Sequence, residues 1–163
     1  MKIVSSLFLL LALSLTTLSV QADAPTDARA LEGVDQGRVV FDLNNNDPEL
    51  MALYLMVIRE TFEDLTDQGV EPDIILTFRG RAVTMVSVDR ERFELTEFDH
   101  LDAIEDHIAA LQEKGVHMES CSVATRLFGV DHGELLPGIE PVRNTFVSLT
   151  GYQAQGYAVI PIY

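Results

Sequence analysis

The chain has 163 residues, 26 acids against 11 lysines and arginines, and a formal net charge of −15. That length suits one ordinary domain with a full core, and the charge argues against nucleic acid or an anionic membrane surface as partner. A single cysteine, Cys121, excludes an internal disulfide, so the thiol serves chemistry, packing or contact with another molecule.

The N-terminus reads as a signal peptide over residues 1–22. Lys2 supplies a positive start, residues 7–18 form an apolar run, and Val20-Gln21-Ala22 fits the small-residue positions read by a signal peptidase. The run is shorter than the roughly 20 apolar residues of a membrane span. Export to the periplasm or beyond is therefore expected, with no membrane attachment after cleavage. Residues 23–37 are polar and aperiodic and read as a flexible leader.

Strands and helices then alternate. Residues 38–43 form a buried-type strand, and the Asn44-Asn45-Asn46-Asp47 loop leads to a helix capped by Asp47 with Pro48 at its first position. Leu50, Tyr54, Val57, Ile58, Phe62 and Leu65 recur at helical spacing, and Leu53, Leu55 and Met56 widen that face, as in helices covered on a second side by another subunit. Residues 73–78 are a second strand, halted by Arg79-Gly80-Arg81. Residues 82–88 suit either a short helix or a strand. A helix over 97–114, with its stripe of Leu101, Ile104, Ile108 and Leu111, ends at Gly115. A third strand over 116–120 meets a short helix after Cys121. A fourth strand over 139–142, a helix over about 145–155 and a last strand over 157–160 complete the chain. Five short strands separated by helices predict a three-layer α/β/α sandwich with a mostly parallel sheet over residues 38–163.

No phosphate loop, nucleophile elbow or dinucleotide-binding glycine triplet is present, and no cofactor or metal is expected. His100 and His107 share a helix face, but their spacing matches no standard zinc pattern and their neighbours read as a solvated surface. The acid clusters read as solvated faces, and the Asn44–Asp47 run lacks the spacing of a calcium loop. His132, in the loop after the cysteine helix, is a candidate base for the thiol.

Cys121 stands at a strand-to-helix junction, beyond the carboxyl end of a strand, where parallel sheets place ligands. Unpaired N–H groups there favour thiolate, while Glu119 opposes it, so the sign of the shift stays open. Glu119, Ser120, Ser122 and Thr125 make its surroundings more polar than an ordinary core.

The chain resembles the DsrE/DsrF-like sulfur-relay family, in particular its small exported members. The resemblance runs from about Arg38 to the C-terminus. It rests on Asp42 with the Asn44-to-Pro48 loop, Gln112-Glu113-Lys114-Gly115-Val116, Cys121, Gly129-Val130, Glu134-Leu135-Leu136-Pro137-Gly138 and Gln153-Ala154-Gln155-Gly156-Tyr157-Ala158. It implies strand order 4-3-2-1-5, homo-oligomers (trimers or hexamers), and a cysteine that carries sulfur as a persulfide, here Cys121. In that order Arg79, Gly80, Arg81, Arg143 and Asn144 line the cysteine pocket, and Arg79, Arg81 or Arg126 can stabilise its anion. A flavodoxin-like order 2-1-3-4-5 would place Asn44 to Asp47 there instead. Two functions stay open: a sulfur carrier or sulfurtransferase acting through Cys121, and a non-catalytic module that binds a small ligand or protein with an incidental thiol.

Overall fold

The computed structural model describes residues 25–163; the predicted signal peptide lies outside them. The strands are β1 (Gln36–Leu43), β2 (Glu71–Phe78), β3 (His117–Cys121), β4 (Ile139–Val142) and β5 (Ala158–Ile162). The helices are α1 (Pro48–Asp67), α2 (Ala82–Met85), α3 (Phe98–Glu113), α4 (Ser122–Phe128) and α5 (Thr145–Ala154). Segment 82–88, open in sequence, is the single turn of α2 followed by an isolated antiparallel bridge between Ser87 and Leu135. Among the described residues no helix is long and apolar enough to cross a membrane.

All neighbouring strands pair in parallel, in the order β4-β3-β2-β1-β5. This is the order implied by the family resemblance, and the flavodoxin-like alternative is excluded. Three crossovers step in one direction across the sheet. The last, through α5, returns to the far edge. Right-handed crossovers then require α5 to lie on the face opposite α1 and α3.

Side-chain alternation sorts the two faces. Val39, Phe41 and Leu43 on β1, Ile74, Leu76 and Phe78 on β2, and Met118 on β3 join one buried core with Met51, Leu55 and Ile58 of α1 and Leu101, Ile104, Ile108 and Leu111 of α3. The entry to α1 is fixed by its cap: the Asp47 Oδ1 accepts from the N–H groups of Glu49 (2.9 Å) and Leu50 (3.2 Å), with Pro48 at the first position.

The opposite face is polar in its middle. Register aligns Asp42, Thr77, Glu119 and Glu140 across β1, β2, β3 and β4. The first three are buried. Helix α5 and the turn after it are fastened here by two phenols: Tyr152 donates to Glu119 Oε1 (2.7 Å) and Tyr157 to Asp73 Oδ2 (2.7 Å). Burial first, and then these carboxylates, push both phenols above the usual tyrosine value. Parallel pairing also sets the carboxyl ends of β1, β2, β3 and β4 side by side, about 4.8 Å apart from strand to strand.

Candidate functional site

The chain leaving β2, β3 and β4 at those ends converges around one sulfur. Cys121 is the last residue of β3 and the N-cap of α4, with extended backbone (φ −73°, ψ 112°). Its partner across the sheet is Val142 on β4, so the chain leaving β4 through Arg143 and Asn144 passes beside the thiol. Asn144 caps α5 by accepting the Phe146 N–H at 3.0 Å. That cap delivers Thr145, the first residue of α5, to the sulfur.

Cys121 is 5% exposed, and it lines a cleft of about 260 Å³ shared with Arg79, Gly80, Val123, Asn144, Thr145 and Phe146. Leu127 and Phe128 complete an apolar rim. Burial pushes the thiol up. The Thr145 N–H and hydroxyl, with the Ala124 and Val123 N–H groups, outweigh it and hold the thiol below its ordinary value. Thr145 is fully buried, and its hydroxyl has no oxygen or nitrogen partner. The sign left open by the sequence is thus resolved towards thiolate.

The predicted neighbours divide. Arg79, Gly80 and Asn144 line the cleft with Cys121; Arg81 does not. The Arg79 guanidinium is committed to Asp42 through contacts of 2.7, 2.8 and 3.0 Å, and Thr77 donates to the same carboxylate at 3.3 Å. This pairing keeps Arg79 charged well beyond any working pH. Arg79 also stacks on Phe146, its carbon 5.5 Å from the ring centre. Arg81 is exposed and stacks on Phe128 at 5.8 Å. Gly80 has φ +57°, and a Cβ there would collide with the Asn44 side chain. Asn44 therefore abuts the β2 loop and not the thiol, as expected when β2 separates β1 from β3.

Other candidates lie elsewhere. His132 Nε2 is 3.1 Å from the Thr125 hydroxyl and does not line the cleft. Glu119 faces the same side as Cys121, but its Oε1 is taken by Tyr152 (2.7 Å) and His117 (3.3 Å). His107 is 3.1 Å from Arg59 Nη1; its burial and that guanidinium lower its proton affinity. Among the described residues no three His, Cys, Asp or Glu side chains are grouped so as to hold a metal ion.

The sequence model described as the DsrE/DsrF-like family matches residues 38–162. The chain belongs to this family. A curated relative, an uncharacterised protein of Aquifex aeolicus (strain VF5), is 25% identical over 125 residues, which are 76% of this chain. The match spans 55% of that relative's own length. Two solved structures share the fold. A protein of unknown function from Methanobacterium thermoautotrophicum has TM-score 0.62 at 23% identity, covering 78% of this chain and 100% of its own. The ychN protein of E. coli has TM-score 0.54 at 18% identity, covering 77% and 99%.

Sequence reasoning missed Thr145, although Asn144 was in view. The signal was available: an asparagine cap just past a strand paired with the cysteine strand aims the next residue at the thiol. The pairing itself was needed to read it. Phe146, Leu127 and Phe128 were also missed, since apolar residues at a helix end carry no mark that distinguishes a cleft rim from a core.

Proposed function

We propose that this DsrE/DsrF-like chain is an exported sulfur carrier that holds sulfur as a persulfide on Cys121. The observation that supports it best is the thiol itself: nearly buried, biased towards thiolate by four donors, yet lining a cleft. A thiolate in that setting is a nucleophile kept from bulk water. It attacks the sulfane sulfur of a donor, a new S–S bond forms, and the donor's bond to that sulfur breaks with its electron pair staying on the leaving group. The terminal sulfur of Cys121–S–S⁻ then passes to a nucleophilic acceptor, and the thiolate is regenerated. No external oxidant enters the cycle.

Export rests on Lys2, the apolar run of residues 7–18 and Val20-Gln21-Ala22. Assembly into a homo-oligomer rests on the family and on the exposed apolar residues Leu53, Met56 and Val57 of α1. The carrier is tested by incubating the protein with a sulfane donor and weighing it intact. A reversible gain of about 32 Da, one sulfur atom on the thiol oxidation ladder, is expected, and Cys121→Ser abolishes it. No adduct with any donor, in a variant series that keeps its fold, overturns the reading.

A further inference from the structure

A second depression of about 570 Å³ adjoins the Cys121 cleft and shares Val123 and Asn144 with it. Its remaining walls are Arg126 from α4, Arg143 before the cap of α5, and Val147 and Ser148 on the first turns of α5. No acid lines it. The chain as a whole carries −15, and its arginines are mostly engaged: Arg79, Arg90 and Arg92 are each bonded to carboxylates. Arg126 and Arg143 have neither a hydrogen bond nor an ion pair among the described residues. Two unpaired guanidiniums on one groove of an acidic protein form an anion seat, since planar five-donor groups match oxyanion geometry. The adjoining cleft carries the buried Thr145 hydroxyl beside the sulfur, one of the groups that hold the thiol below its ordinary value. The site therefore has a charged end and a narrow, mostly apolar end that ends at a thiol.

We infer that the sulfur donor is anionic at one end: a sulfane sulfur bonded to a sulfonyl head, either inorganic thiosulfate or an organic thiosulfonate. The head sits between Arg126 and Arg143 while the sulfane sulfur enters the Cys121 cleft. This rests on the carrier reading above. With thiosulfate, Cys121–S⁻ attacks the outer sulfur of ⁻S–SO3⁻, the S–S bond to Cys121 forms, and the S–SO3 bond breaks with its pair on sulfite. The products are Cys121–S–S⁻ and SO3²⁻, with total charge −3 on both sides. An organic thiosulfonate gives the same persulfide and leaves a sulfinate. In both cases negative charge grows on the leaving head, where the arginines wait.

The seat is tested without sulfur chemistry by two alkylating probes, anionic iodoacetate and neutral iodoacetamide. Both read the same thiolate fraction, so their rate ratio isolates the pull on the anion. Arg126→Gln with Arg143→Gln is expected to lower the iodoacetate-to-iodoacetamide ratio about tenfold, a few-fold for each partly exposed charge. The iodoacetamide rate should stay within about twofold in a correctly folded variant. The same double variant should slow persulfide formation about tenfold from thiosulfate and from benzenethiosulfonate; the faster of the two in the unsubstituted protein names the source. A ratio unmoved by the substitutions overturns the seat even if the persulfide forms. An arginine-dependent ratio with no sulfur adduct from either compound overturns the donor assignment; the carrier reading falls only if a polysulfide donor also leaves no adduct.

Discussion

The groups that hold the Cys121 thiol below its ordinary value decide the chemistry at the residue scale, and Thr145 supplies two of them, its N–H and its hydroxyl. Its hydroxyl is the donor a substitution can remove without moving the backbone. Thr145→Val keeps the volume and the N–H but deletes one hydrogen bond to the thiolate. Iodoacetamide labelling of Cys121 at pH 7 should then slow roughly tenfold, the low end for a hydrogen bond to a charged group. The midpoint of its pH–rate profile should move up, because burial, the largest opposing influence, is left less well balanced. A profile that does not move would remove the hydroxyl from the account. Arg79 makes a different demand. Asp42→Ala strips the guanidinium of the carboxylate it pairs with and leaves it, 17% exposed, beside the cleft. Breaking such a pair should cost about 3 kcal/mol in urea unfolding. It should also free Arg79 to approach the thiol and so raise the pull on iodoacetate.

At the element scale the loops at the carboxyl ends hold the cleft's shape, and Gly80 is where they touch. Alanine there meets two penalties: a left-handed backbone at φ +57°, worth about 1–2 kcal/mol, and collision with the Asn44 side chain. Gly80→Ala combined with Asn44→Ala should recover the collision and leave the backbone cost, a non-additivity read by equilibrium unfolding of the unsubstituted protein and the three variants. Helix α5 depends on a second fastening. Among the described residues Tyr152 is the sole hydroxyl donor to Glu119, whose other oxygen is buried without a partner. Its raised phenol value means that this stabilisation is complete below the ordinary tyrosine range, about pH 10, and is lost as pH rises through the folded value. Tyr152→Phe should therefore cost about 1–3 kcal/mol at neutral pH and flatten the alkaline fall in thermal stability.

Much of this architecture was legible in the chain, for reasons that differ by element. Asp47-Pro48 and Gly115 mark helix ends by local chemistry, and the strands ending at Leu43 and Phe78 are apolar because both faces are covered there. The parallel five-strand class followed from alternation alone; the order came from the family resemblance, since no local signal states which strand lies beside which. That same gap hid Thr145 and misplaced Arg81: one residue past Gly80, the direction of a side chain depends on the turn, and the turn sends Arg81 outward over Phe128. His132 stood near Cys121 in sequence but was drawn to Thr125 instead.

For the whole molecule, charge and apolar surface oppose each other. A net charge of −15 repels like copies at low ionic strength. Against this, Leu53, Met56 and Val57 stand 49%, 37% and 42% exposed along one side of α1, at the spacing of a helical stripe. An amphipathic helix already packed on the sheet through Met51, Leu55 and Ile58 has no fold-internal reason to keep a second apolar stripe in water. Burial of that stripe between copies removes it, provided that salt screens the surrounding acids within a Debye length of about 8 Å at 0.15 M. Sedimentation velocity should then show an assembly larger than a monomer that strengthens from low to moderate salt, the reverse of an interface held by ion pairs. Met56→Glu with Val57→Glu should shift it to monomer while leaving thermal unfolding and Cys121 alkylation within about twofold, because both positions are already solvent-facing within one chain. A monomer at every salt concentration would return α1 to the role of a surface helix, and the cleft at Cys121 would then have to work within a single chain.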